Sequence, residues 1–228
     1  MEEMAESKTA DQVRDEHLRT LGPTVGPLYD ALYNEVSWLH AKWNQYRILY
    51  AESRERVESL NRIAGFFFRM IQNVLWEDVL MHIARLTDPP RSAGKDNLTL
   101  LRLSEALDEP TLSAEVEILV EEAKKAALFA RDWRNRRLAH TDLKLALEDR
   151  AEPLPGVSRH NVEQALAAIA AVLNKIWAHF SRAEVAFGLL IVHDDAESLA
   201  YYLKCAIDAE DRESEEFLGD ANKPKTRN

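Results

Sequence analysis

Apolar residues spaced alternately three and four apart, sustained over long stretches with little to interrupt them, constrain this chain most. Leu28, Leu32, Val36, Leu39, Trp43, Tyr46 and Tyr50 follow that spacing, which lines one face of a helix with 3.6 residues per turn. Val116, Leu119, Ala123, Ala126, Ala130 and Trp133 give a second stripe, on a helix expected from about 113 toward 143. Val162, Leu166, Ile169, Leu173, Ile176 and Phe180 give a third, a coiled-coil-like seam for another helix or a second copy of the chain. With only 7 Gly and 8 Pro in 228 residues, such helices run on unbroken. No stretch alternates well enough for a sheet. The expectation is an all-α bundle of five to six helices, with a short irregular or extended segment around 187–192 before the last helix.

The breakers mark the boundaries. Residues 1–20 read as a mobile acidic tail ending at Gly22-Pro23, residues 21–193 as the bundle, 194–210 as a C-terminal helix and 211–228 as a charged disordered tail. A helix over about 53–87 is apolar around most of its circumference from Ala64 to Leu86, which predicts the bundle's central helix. Asp88-Pro89-Pro90 stops it. A polar loop over 91–98 and a short helix over 99–107 follow, and Asp108-Glu109-Pro110 separates that helix from the next. Ser158 is the expected N-cap of the helix carrying the seam, and Asp194 with Glu197 resembles a capping box for the last one.

Composition narrows the class. A single cysteine, Cys205, offers neither an internal disulfide nor a metal cluster, and the opening residues are polar and acidic, so a cytoplasmic protein is expected. No apolar run reaches the eighteen or so residues of a membrane span. Metal-ligand spacing is absent: His160 with Glu163 is a single pair without a counterpart. Gly22 to Gly26 lacks the spacing and the lysine of a phosphate loop, so no cofactor is expected.

The net charge of −10 sits at the ends. Residues 1–16 carry six acids against two bases and residues 194–221 ten against two, leaving the body from 17 to 193 near neutral. Within that body, residues 124–144 hold seven bases against two acids. One basic stripe on a neutral body suits local phosphate binding rather than broad affinity for DNA. Complementing a helix C-terminus would use the same residues.

Inside the stripe lies Arg134-Asn135-Arg136-Arg137-Leu138-Ala139-His140. Arginine carries a permanent charge on a planar fork of donors that fits phosphate oxygens. Histidine gains and loses its proton near neutral pH. Together they suit RNA cleavage by the strand's own 2′-hydroxyl: His140 as general base or acid, Arg134 clamping the phosphoryl oxygens, Asn135 orienting a hydroxyl or the imidazole. Arg131, Arg136 and Arg137 would help to hold RNA, with a salt bridge to Asp132 or Asp142 expected for Arg136 or Arg137. A regular helix places His140 on the side of Trp133, facing the core. One histidine is scant for two proton transfers, and a symmetric homodimer would bring a second.

Arg134-Asn135 followed by His140 resembles the arginine–polar–histidine signature of the HEPN superfamily. Leu32 to Glu35, Trp38 to Trp43, Ala84 to Pro90, Asn97 to Thr99, Phe129 to Asp142 and Asp195 to Leu199 are similar to its abortive-infection U-type (AbiU-like) branch. The resemblance covers roughly residues 25–205. It implies a dimeric helical bundle with a composite cleft, RNA as substrate, Arg134, Asn135 and His140 as site residues, and a role in prokaryotic phage defence or a toxin–antitoxin system, with an antitoxin or defence partner. Some members carry a tyrosine two residues after the histidine, which a partner enzyme modifies. Here Asp142 stands there, so that control does not carry over.

Two other functions compete with catalysis. One is a non-catalytic module binding nucleotide or RNA through the basic stripe. The other is a helical interaction protein using the 162–180 seam, with His140 only capping a helix. Asp78, His82 and Arg85, four and three apart inside an apolar helix, either line the same cleft or satisfy one another as a buried network.

Overall fold

A computed structural model describes residues 8–92, 94–138, 156–189 and 195–221. Its elements are almost all helical: α1 (Ala10–Tyr50), α2 (Arg54–Leu86), α3 (Leu101–Ala106), α4 (Pro110–Ala126), α5 (Leu128–Trp133), a π-helical turn (Arg134–Leu138), α6 (Arg159–Ser181) and α7 (Ala196–Ala221). The fold is all-α. Among the described residues the exception is an antiparallel hairpin of β1 (Arg91–Ser92) and β2 (Lys95–Asp96), in which Arg91 faces Asp96 and Ser92 faces Lys95. The segment from Arg182 to Leu189 is irregular, as expected before the last helix. No described helix is long and apolar enough to cross a membrane.

The chain forms two compact units, one from residues 1–41 and 77–189, the other from 42–76 and 190–228. The first unit's core is built from the expected stripes. Leu32, Val36 and Leu39 of α1, Val79, Leu80 and Ile83 of α2, and Val116 and Ala123 of α4 are buried, with Val120 buried between them where Leu119, half-buried, was expected. So are Val162, Leu166, Ile169, Leu173 and Ile176 of α6. The seam of α6 packs on α4 of the same chain, so the helix expected to meet a partner already has one. Ser158 caps α6 in a reciprocal box: its Oγ accepts from the Asn161 backbone N–H at 3.2 Å, and Asn161 Oδ1 accepts from the Ser158 N–H at 3.0 Å.

The expected tail is corrected from residue 10 onward. α1 starts at Ala10 and bends sharply at Gly22, whose φ of 76° belongs to the left-handed region that glycine alone enters freely. Pro23, with no backbone N–H to lose, opens the segment after the bend. In a straight helix residues 17 and 30 would stand roughly 20 Å apart; here His17 Nδ1 lies 2.8 Å from Asp30 Oδ1. His17 is buried, its ring edge-on to Tyr29, Tyr33 and Trp177. The Gly-Pro pair that reads as the end of a tail is a hinge.

The second unit has its own small core of Ile48, Leu49, Leu60, Phe68 and Ala196. Trp43 and Tyr46 stack at 5.2 Å, with Trp76 against both. α7 is tied down by Arg56 to Glu197 at 2.8 Å and by Arg62 to Asp211 at 2.6 Å. With Arg62 anchoring it there, α7 continues to Ala221 instead of giving way to a disordered tail at 211. Its cap is Asp195, whose Oδ1 accepts from the Glu197 N–H at 2.9 Å. The expected cap, Asp194, lies outside the described residues.

The reading of α2 as central also needs correction. Within the second unit Phe66 is 88% exposed, and Ile63, Phe67, Met70 and Val74 share that exposed face. The helix is interrupted at Ala64 (φ −156°, ψ 61°). Only its last turns, from Val79 to Leu86, are enclosed by the first unit's core.

Candidate functional site

The site lies in the first unit, where α5 runs past the C-terminal end of α2. α4 and α5 keep a continuous buried line through Val120, Ala123, Ala127 and Ala130, although the α geometry breaks at Ala127 (φ −90°, ψ 1°). Seven residues later it breaks again, into the π turn Arg134–Leu138. A π turn inserts an extra residue between bonded groups and re-aims the side chains that follow, and such turns recur at functional positions. The prediction that His140 shares the side of Trp133 presumed regular α periodicity, and that premise fails here. His140 and Asp142 themselves lie outside the described residues.

Arg134 opens the π turn. Its Nη1 is ion-paired with Asp88 Oδ2. Its Nε and Nη2 both donate to Asn135 Oδ1, at 3.1 and 3.0 Å. The Arg134 and Asp88 side chains are each only about one fifth exposed (22% and 20%), so the pair is weakly screened and holds the guanidinium firmly. Of the five N–H protons on an arginine, these contacts occupy three and leave two for an incoming anion. Asn135, expected to orient a hydroxyl or the imidazole, here accepts from the arginine fork through its amide oxygen.

The other arginines fare differently. Arg131 Nη2 donates to the Thr87 carbonyl oxygen, which ties α5 to the end of α2. Arg136 pairs with Asp132 at 3.5 Å, one of the expected salt bridges. Arg137 is exposed, with its guanidinium 5.4 Å from the centre of the Trp133 ring. Of the three arginines expected to hold RNA, Arg137 alone points its charge to solvent without an ion pair among the described residues.

The floor of the site is built by segments that are far apart in sequence. Thr87 Oγ1 donates to the Ile83 and Ala84 carbonyls at 3.0 and 3.2 Å, closing α2. Asp88 follows, and Pro89-Pro90 turns the chain into the hairpin. Asn97 braces that turn, its N–H donating to Pro90 O at 2.8 Å and its Nδ2 to Pro89 O at 2.9 Å. Arg102 of α3 clamps it from outside through Asn97 O (2.7 Å), Pro90 O (2.6 Å) and Asp96 Oδ1 (2.7 Å). A hollow of about 330 Å³ opens here, lined by Glu35, Arg85, Asp88, Asp96, Asn97 and Leu98.

The ladder of Asp78, His82 and Arg85 does not form one buried network. His82 is 1% exposed and its Nε2 lies 2.8 Å from Glu35 Oε2, whereas Arg85 is exposed and faces the hollow. Asp88 and Glu35 fall in the family-like stretches Ala84 to Pro90 and Leu32 to Glu35, but beyond that Asp88 reads as a helix stop and Glu35 is given no role. An aspartate just past a helix end and an arginine 46 residues on have nothing in sequence to link them. Among the described residues no three His, Cys, Asp or Glu side chains come together in a metal-holding group.

The model of the HEPN family described as AbiU2 matches residues 23–199. That span contains Arg134, Asp88, the hairpin and the signature through His140. Neither the search of curated proteins nor that of solved structures returned a match.

Proposed function

The chain belongs to the HEPN family described as AbiU2, and from that premise we propose that it is a metal-independent endoribonuclease working as a homodimer in prokaryotic phage defence or a toxin–antitoxin system. The observation that carries this reading is Arg134. It begins the signature that ends at His140, it is held from two sides by Asp88 and Asn135, and it keeps donors to spare. Preorganised donors of this kind stabilise charge that develops on a phosphorane without reorganising at the moment of reaction.

In the proposed step the RNA 2′-hydroxyl loses its proton to one imidazole and attacks the adjacent phosphorus. The bond to the 5′-oxygen breaks, and that oxygen takes a proton from a second imidazole. The products are a 2′,3′-cyclic phosphate and a 5′-hydroxyl. His140 of each copy supplies one proton transfer, and Arg134 carries the negative charge on the non-bridging oxygens.

The test is purified protein with single-stranded RNA in EDTA. The wild type is expected to cleave, leaving cyclic phosphate ends, and to sediment as a dimer. His140→Ala and Arg134→Ala each lower the rate by a hundredfold or more, in the range of lost acid–base or oxyanion groups, with an unchanged helical circular-dichroism spectrum. Cleavage undiminished in both variants would refute the site. Binding without cleavage by the wild type would instead establish the non-catalytic module.

A further inference from the structure

We propose that Arg85 forms a second phosphate subsite beside Arg134, so that the hollow at the end of α2 grips the RNA backbone one step along from the reacting phosphate. The proposal rests on the RNA reading of Arg134 and extends it to a residue outside the signature.

Three observations converge. The first is charge. Each acid lining the hollow has a cationic or imidazole partner: Asp88 has Arg134, Asp96 has Arg102 at 2.7 Å, and Glu35 has His82 at 2.8 Å. Arg85 has no ion pair among the described residues and is exposed. Arg85 is therefore the cation of the lining that has no carboxylate partner, and an anion would supply one.

The second excludes the ordinary use of an arginine in the last turn of a helix, which is to cap carbonyls. Those of α2 are already taken. Ile83 O and Ala84 O accept from Thr87 Oγ1, Arg85 O from the Asp88 N–H, Leu86 O from the Leu100 N–H, and Thr87 O from Arg131. The Arg85 guanidinium is left over from that arrangement.

The third is position. Asp88 is shared: it pairs with Arg134 and lines the hollow that Arg85 faces. Both arginines therefore share the end of α2 with Asp88, and a polyanion held by Arg134 would run on toward Arg85. The hollow's volume, about 330 Å³, is at the lower end of the size range of small-molecule sites.

The test uses fluorescence anisotropy with a short labelled RNA, 2′-O-methylated so that the attacking hydroxyl is blocked, over a series of salt concentrations. Arg85→Ala is expected to weaken binding several-fold, equally for different sequences. It should also make the slope of log K against log salt shallower by about 0.7, the value for one lost contact to a single strand. Arg85→Lys should restore most of the slope, and the thermal midpoint should stay put because the side chain is exposed. If Arg134→Ala weakens binding and Arg85→Ala leaves affinity and slope unchanged, the subsite is refuted while the RNA reading stands. If the wild type binds no RNA, or Arg134→Ala has no effect, both fall together.

Discussion

Asp88 illustrates how much a single side chain can decide here. Its carboxylate faces an arginine whose side chain is mostly buried, so removing it strands a guanidinium with little access to water. Asp88→Ala is therefore expected to cost about 2 kcal/mol, the scale of a hydrogen bond to a charged group, as measured by urea unfolding. Asp88→Asn keeps an acceptor and should lose less. Both should slow RNA cleavage, because Arg134 loses one of its two supports; faster cleavage would mean that Asp88 restrains Arg134 rather than bracing it. His40 bears on stability in a different way. Burial pushes its pKa down to about 4 from 6.5, against a smaller opposing effect of a backbone hydrogen bond with Leu166. Below pH 6.5 the unfolded chain binds a proton that the folded chain refuses, so stability is level above that pH and falls toward pH 4. The fall should approach roughly 3 kcal/mol, and a His40→Gln variant should lack that part of the slope in pH-dependent denaturant titrations.

The helices were legible in sequence where an apolar stripe meets a core made by neighbouring stripes. α1 beyond Leu28, α4 and α6 follow their three–four spacing, and Ser158 caps where its hydroxyl can reach the Asn161 N–H. Replacing Ser158 with Ala should cost about 1 kcal/mol, seen as a lower denaturant midpoint. What failed was every reading that needed to know the neighbour. The apolar middle of α2 was legible as apolar, but hydrophobicity does not say which face another element covers, and Phe66 stands 88% exposed. Likewise Gly22-Pro23 marks a break, yet a break before a hinge and a break after a tail look alike in sequence. The hinge makes its own prediction. A Cβ on Gly26 would sit 2.9 Å from Leu18 Cα and 3.2 Å from His17 O, backbone atoms that cannot swing aside. Gly26→Ala should therefore open the bend at a cost of about 1–3 kcal/mol. Gly65→Ala, whose Cβ would meet only the Asn61 side chain at 3.7 Å and beyond, should be neutral or stabilising by up to about 1 kcal/mol.

At the scale of the whole molecule, the separation of charge limits the form that the proposed RNA binding can take. The signature arginine and its amide neighbour were legible as candidates because chemistry fixes which residue types can hold a phosphate. Their setting was not, because it is assembled from Glu35, Asp88, Asn97 and Arg102, brought together only by folding. That setting engages three of the seven bases of the stripe: Arg131 on a carbonyl, Arg136 on Asp132, Arg134 partly on Asp88. Among the described residues at the end of α2, the cations still open to an RNA strand are Arg85, Arg134 and Arg137, on a chain whose net charge is −10. Each phosphate contact to a single strand contributes about −0.7 to the slope of log K against log salt. Two to three contacts predict a slope near −2, with weak affinity at physiological salt and little discrimination among sequences. A slope near −5 or steeper in the same titration would require many more cations at the strand than this site offers, and RNA would then be held by a surface other than the end of α2.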